Sequence, residues 1–359
     1  MSKLREVIRD TINKTGPITV AKFMELSLGH PEFGYYTTRD PIGVKGDFVT
    51  SPEISQIFGE LIALWSATCW EHMNAPKRVE VIECGPGRGT LMTDFLRTSR
   101  AIPDFDKAIN IHLVETSPIL KGRQSKILNE IGIKWHDSLD TVPIGPTILI
   151  ANEFLDALPV HQLVKTPGGW AERRVERANK GFMFTTDKPS PKTKAKIPES
   201  LLSATTGSVY EYSSAALEVA DQIVQRFKAA PGYALFIDYG YDKYQTGDTL
   251  QAVKSQSYAD VLVNPGQVDL TAHVNFAALG ERIRDHGMST LGPISQASFL
   301  ISLGIFRRTR DLTKNANADQ ARMINSGTGR LINLHQMGAL YKVFVAMGTD
   351  LPTPAGFEQ

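Results

Sequence analysis

Residues 79–90 read VEVIECGPGRGT. A short, mostly apolar run ends in the acid Glu83, and glycines follow at alternate positions, Gly85, Gly87 and Gly89. Glycine after a strand permits a tight turn and lets the backbone approach a ligand. A helix beginning there offers free N–H groups and a positive end, which favours a carboxylate or phosphate. The stretch reads as strand, loop and helix start. Either the loop holds a nucleotide-like ligand, or it is a structural turn with none.

Three ligand classes compete. A phosphate-gripping loop needs a Lys–Ser/Thr pair after its last glycine, and here Thr90 and Leu91 follow Gly89. A dinucleotide fingerprint is G-x-G-x-x-G, and here the third glycine comes one residue early. The remaining pattern, acid-x-Gly-x-Gly-x-Gly, resembles motif I of the class I S-adenosylmethionine-dependent methyltransferases. That ligand needs no phosphate cradle. Its methionine end carries a carboxylate, suited to backbone N–H groups, and an ammonium, suited to an acid at a strand end.

Working outward, strands are expected at 78–83, 110–115, 133–136, 146–151 and 233–238, and helices at 89–99, 117–130 and 214–229. The strands are apolar throughout, which suits a parallel sheet covered on both faces. The second strand runs into LVETS, placing Glu115 at its tip, where an acid accepts hydrogen bonds from ribose hydroxyls; the other reading is a solvated helix cap. After the third strand comes HDSLD, where Asp137 could meet an adenine amino group. After the fourth comes ANEFLDALP (151–159), where a substrate-facing loop belongs.

Ahead of this alternation, Leu4, Val7, Ile8 and Ile12 have helical spacing, and a second helix starts near Thr19. Residues 29–51, rich in Gly, Pro and aromatics, read as irregular loop. One long helix then runs from Ser51, with Ser51 as its cap and Pro52 and Glu53 in its first turn. The final run, 331–347, is strand-like. Residues 165–205 read as a β-hairpin with a Lys/Pro-rich loop, either a solvated surface or a lid or partner-binding edge.

The whole chain limits the alternatives. Its 39 Lys and Arg nearly balance its 38 Asp and Glu, which argues against a nucleic-acid binder. Two cysteines cannot make a disulfide framework. No apolar run is long enough for a membrane span, and the N-terminus has no secretory pattern. A cytoplasmic protein is expected, or a mature organellar form. The eight histidines are scattered and no Gly-x-Ser-x-Gly elbow is present, so neither a metal site nor a serine hydrolase is expected.

Longer blocks then match one family. ITVAKFMELSLGHPEFGYY, GDFVTSPEISQIFGELIALW, IECGPGRGTLMTDFLR, ANEFLDALPVHQ, LFIDYGY and NPGQVDLTAHVNF together resemble the MidA-like proteins, over nearly the whole chain. Their mitochondrial members are complex I assembly factors with protein arginine methyltransferase activity. The resemblance implies an α/β class I methyltransferase fold, Rossmann-like, with a seven-stranded, mainly parallel sheet and a reversed last strand. The expected organisation is an N-terminal helical region with a cofactor-covering loop (1–75), a core of 76–165 and 206–359, and an inserted subdomain (166–205). The implied cofactor is S-adenosylmethionine. Glu83, Gly85, Pro86, Gly87 and Gly89 form the methionine-end site, and Glu115 with Thr116 the ribose site. Asp137 takes the adenine side, Asn152 the reactive end, and Thr50 and Ser51 fold over the cofactor. One departure stands out. Between GDTL and NPGQVDLT the family commonly carries an Arg and a His, and the stretch here, QAVKSQSYADVLV, has neither.

Methyl transfer from a sulfonium mainly requires positioning of the acceptor. A guanidinium acceptor is always charged and needs carboxylates to orient its planar fork. The expected catalytic residues are Glu153 and Asp156, with Asp269 and His273 also facing the site and His273 taking the proton; the other readings are Glu153 touching the cofactor, Asp156 capping the turn before Pro159 and His273 as a structural hydrogen-bonder. Glu153→Gln should then keep cofactor binding and lose transfer. The expected partner is a protein, a complex I subunit being the specific case, with a homodimer admitted and neither nucleic acid nor membrane insertion. The location follows as bacterial cytoplasm or mitochondrial matrix. The alternatives are a non-catalytic assembly chaperone that binds the cofactor, or a methyltransferase acting on a nucleic-acid or small-molecule nitrogen.

Overall fold

The computed structural model describes residues 3–39, 43, 49–128 and 132–358. The chain divides into two compact units, one of residues 1–48, 155–218 and 241–279, the other of 49–154, 219–240 and 280–359.

The second unit holds the parallel sheet. Its strands are β1 (Val79–Cys84), β2 (Ile109–Val114), β3 (Lys134–His136), β4 (Thr147–Asn152), β5 (Gly232–Tyr241), β6 (Ser289–Ser295) and β7 (Tyr341–Met347). They lie in the order β6-β7-β5-β4-β1-β2-β3. The five strands from β5 to β3 are parallel, and β7 runs antiparallel between β5 and β6. These seven strands of the unit make the sheet with a reversed last strand that the family resemblance implies. β1 and β4 are buried at every position, as strands of a parallel sheet covered on both faces are. Register pairs Cys84 with Val114 on one side and Ala151 on the other. Parallel strands in register end on one edge, so Glu83, Glu115 and Asn152 all come to the C-terminal side, where such sheets bind ligands.

Helices follow the expected alternation: α1 (Ser51–Ile54), α2 (Gln56–His72), α3 (Thr90–Ser99) and α4 (Pro118–Ile127). The single helix expected from Ser51 is in fact two. Ser55 is extended (φ −156°, ψ 130°) and its hydroxyl caps α2 by accepting from the Ile57 N–H. Thr50, not Ser51, is the residue before α1, and its side chain makes no cap bond. α2 buries Ile57, Phe58, Leu61, Ile62 and Trp65 in the core shared with β1, β4, β5 and β7. The run 331–347 is also broken. A helix ends at Ile332, the Gly338 N–H closes a tight turn onto the Asn333 carbonyl, and β7 starts only at Tyr341. A Cβ at Gly338 would lie 2.3 Å from the Ile332 carbonyl oxygen, so the turn needs glycine there.

The first unit is built on an antiparallel sheet ordered Ile18–Thr19, Gly169–Ala178, His161–Thr166, Val209–Tyr212, with Gly181–Asp187 hairpinned on Gly169–Ala178. The N-terminal helix Lys3–Thr15 places Leu4, Ile8 and Ile12 in one core with Val175 and Phe182 of that hairpin. The helix Val20–Gly29 is capped by the Thr19 hydroxyl, which accepts from the Lys22 N–H. The expected hairpin is thus present, but the unit is larger than an insertion at 166–205. Residues 155–165, 206–218 and 241–279 join it, together with the N-terminal helices. The cause is packing: Leu163, Tyr210 and Tyr212 share a cluster with Leu201. Within 29–51, Tyr35–Thr38 forms a helical turn; residues 40–42 and 44–48 lie outside the described residues, as do 129–131 beyond α4.

Candidate active site

The three loop glycines all have positive φ: Gly85 +65°, Gly87 +55° and Gly89 +84°. That conformation is available to glycine without the Cβ clash other residues meet. A Cβ at Gly85 would lie 2.9 Å from the Phe154 ring. Gly89 precedes α3 and supplies no side-chain cap, so the first-turn N–H groups have no side chain of that residue across them. Pro86 is buried in the same turn, which the Gly89 N–H closes onto the Pro86 carbonyl at 2.8 Å.

Glu83 is buried, and its Oε2 has no hydrogen-bond partner among the described residues. Burial first, and the charge of Glu115 second, push its carboxyl up to about 8. Glu115 is buried too; its Oε1 accepts from the Ser117 N–H at 2.8 Å and its Oε2 from Gln124 Nε2 at 3.2 Å. Burial raises its pKa, and these donors work the other way. Thr116 beside it is exposed. On β4, Asn152 is buried and its Oδ1 also lacks a partner among the described residues. Two adjacent strand tips therefore each carry a buried acceptor without a donor, an arrangement that normally costs about 1–3 kcal/mol per group unless a ligand completes it.

Other expected residues fall as follows. Ser51 is buried and its N–H donates to Glu153 Oε1 at 2.9 Å; Thr50 beside it is half-buried. Asp137 follows β3 but is exposed and paired with Lys121, which lowers its pKa. Both Glu153 oxygens are engaged, Oε1 by Ser51 and Asn152 and Oε2 by the Tyr341 hydroxyl. Asp156, Asp269 and His273 belong to the other unit. There Tyr36 donates to Asp269 Oδ1 at 2.8 Å. Burial, then Asp269 and Asp156, hold the Tyr36 hydroxyl well above its usual range. Asp156 and Asp269 are both buried. His273 lines a cavity of about 30 Å³ with Leu155, Val160, Ser213 and Asn275, and burial lowers its pKa.

Three residues had no sequence signal. Gln124 donates to the Gly87 carbonyl (2.7 Å) as well as to Glu115, and accepts from Trp135 Nε1. It thus fixes the glycine loop against the second acid. Tyr36 lies in a segment read as loop and Tyr341 in a strand-like run, and neither position marks a site residue. Only their distant partners reveal them.

A family model described as "Putative S-adenosyl-L-methionine-dependent methyltransferase" matches residues 61–294. The chain belongs to this methyltransferase family. It is 35% identical over 364 residues to "Protein arginine methyltransferase NDUFAF7, mitochondrial" of Homo sapiens, covering 94% of this chain and 81% of that one. It is 36% identical over 336 residues to the Caenorhabditis elegans homolog, covering 86% and 78%. A solved structure, a "likely methyl transferase" from Burkholderia thailandensis bound to S-adenosyl-homocysteine, superposes with a TM-score of 0.84 at 27% identity. It covers 99% of this chain and 92% of that one.

The methyltransferase's residues fit S-adenosylmethionine. Glu83 Oε2 and Asn152 Oδ1 are acceptors lacking donors, as an ammonium requires. The glycine turn opens α3 toward a carboxylate, and Glu115 stands at the second strand tip. A pH dependence follows. Without cofactor, Glu83 keeps its proton up to about pH 8, and an ammonium favours the ionised form. Binding should release a proton, so affinity should rise by up to about tenfold per pH unit between pH 6 and 7.5, levelling off above 8. The raised pKa also means that the cofactor-free protein loses stability as pH climbs from the ordinary carboxyl range through 8. Calorimetry with S-adenosylhomocysteine in two buffers of different ionisation enthalpy measures the proton directly. PH-independent affinity without proton release would remove Glu83 from the ammonium site.

Proposed function

We propose that this methyltransferase acts on an arginine of a protein partner, a respiratory complex I subunit being modified during assembly. The observation that carries the reading is the 35% identity, over 94% of the chain, to a protein named as an arginine methyltransferase. The buried acids support it. A guanidinium stays charged throughout, and holding it away from water requires carboxylates. Asp156 and Asp269, both buried and both acting on the Tyr36 hydroxyl, are acids of the required kind.

The cofactor, when bound, supplies an activated methyl group on a sulfonium. The chain's own task is then to orient one acceptor nitrogen and to take the proton that leaves it. Asp156 and Asp269 orient the fork. His273, whose pKa is lowered by burial, is the residue proposed to take that proton. The homologues named above are mitochondrial; the site of action proposed here is wherever complex I is assembled, the matrix or the bacterial cytoplasm.

The test uses S-adenosylmethionine with an isotopically heavy methyl group. Complex I subunits from cells with and without the protein are incubated with it and the purified chain, then mapped by mass spectrometry. Heavy methyl should appear on arginine only in subunits from deficient cells. Label on lysine, on histidine or on no protein would overturn the reading.

A further inference from the structure

Glu153 has φ +50°. An L residue pays about 1–2 kcal/mol for that conformation, and glycine does not. The backbone is pinned there by the Glu153 N–H, which donates to the Ile237 carbonyl on β5 at 2.8 Å. The side chain collects donors from three segments: the Ser51 N–H (2.9 Å), Asn152 Nδ2 (3.2 Å) and the Tyr341 hydroxyl (3.0 Å). Tyr341 opens β7 and is itself oriented by an edge-on contact with the Tyr239 ring, centroids 5.5 Å apart.

The other end of α1 is tied to the glycine loop. Glu53 accepts from the Thr90 hydroxyl, and its other oxygen lies 3.8 Å from the Arg88 guanidinium. Ser51 Oγ adds a bond to Gln296 at 3.3 Å. The short segment Thr50–Ile54 is therefore fastened to the tip of β4 at one end and to the loop after β1 at the other. Those are adjacent parallel strands, and they carry the two acceptors without donors, Asn152 Oδ1 and Glu83 Oε2.

We infer that Glu153 and Tyr341 form a latch that holds this segment across the cofactor cleft, and that opening it controls cofactor exchange. They are positioning residues: they act through Ser51 and Asn152 and touch no reacting atom. The inference depends on the family's cofactor and is independent of which side chain is methylated. It also gives the strained backbone a purpose. Glycine at 153 would relax φ but could not reach Ser51 and Tyr341 together.

Two variants separate latch from fold. Tyr341→Phe removes one hydrogen bond to the carboxylate and leaves the ring. Glu153→Gly removes the carboxylate and relieves the strain, so its folding should be preserved. The full-length protein is loaded with S-adenosylhomocysteine, and dissociation is followed by stopped-flow displacement, alongside thermal unfolding without cofactor. Tyr341→Phe should dissociate about tenfold to a hundredfold faster, the loss of one hydrogen bond to a charged group, and Glu153→Gly at least as fast. Cofactor-free Tm should change little in Tyr341→Phe. A purely structural role would lower Tm and leave dissociation from the folded protein unchanged. Dissociation within about twofold of wild type in Tyr341→Phe overturns the latch, whatever Glu153→Gly does. If arginine labelling fails while both variants release cofactor faster, the latch stands and only the acceptor reading falls.

Discussion

Gly87→Val is expected to abolish cofactor binding, lowering affinity for S-adenosylhomocysteine by at least about a hundredfold. Two effects add. Valine is branched at Cβ and strongly disfavours the +55° φ that Gly87 adopts. The loop must then move, and with it the Gly87 carbonyl that Gln124 holds at 2.7 Å. Gln124 also donates to Glu115, so the disturbance reaches the second acid as well as the loop. The cost in fold stability should be about 1–3 kcal/mol, and the variant should stay folded. Calorimetry and circular dichroism on the same sample separate the two effects. Binding within tenfold of wild type would mean that the backbone of this loop does not contact the cofactor.

Asp156→Asn should do the opposite. Cofactor affinity should stay within about twofold, because the acceptors without donors, Glu83 and Asn152, belong to the other unit. Methyl transfer to an arginine substrate should fall by about a hundredfold to a thousandfold, since asparagine keeps the shape and loses the charge that pairs with a guanidinium. The fall should lie in kcat and in kcat/KM together if Asp156 orients the acceptor in the transition state. Transfer within threefold of wild type would pass the role to Asp269 or to neither acid. Glu153→Gln is a useful companion. Its amide oxygen can still accept from the Ser51 N–H, so a variant defective in cofactor retention but normal in single-turnover transfer would place Glu153 in the latch and not at the acceptor.

The methyltransferase core was legible because its signals are local. A parallel strand buried on both faces is mostly apolar, and β1 and β4, buried at every position, are of this kind. A residue that ends such a strand comes to the ligand-binding edge without further information, which is how Glu83, Glu115 and Asn152 could be read. Positive φ at the three glycines follows from the same short motif. Asp137 shows the limit of this reasoning. Its place after β3 was correctly anticipated, yet the side chain is exposed and paired with Lys121, because chain position does not fix which way a loop residue points.

The sequence by itself thus determined the parallel strands and the acids at their tips, which depend on residues close together in the chain, and, through blocks that resemble one family, the full sheet and the cofactor class. Tertiary structure alone decided what Glu153 does. Its partners Ser51 and Tyr341 are 102 and 188 residues away, and no periodicity or spacing connects them. It likewise decided that the N-terminal helices, the hairpin and residues 241–279 make one unit, because Leu4, Ile8 and Val175 meet only when the chain has folded. Last, it showed that Glu83 and Asn152 each keep an acceptor without a donor. Hydrogen-bond satisfaction belongs to the packed state, where water has been excluded and every remaining donor has a fixed direction.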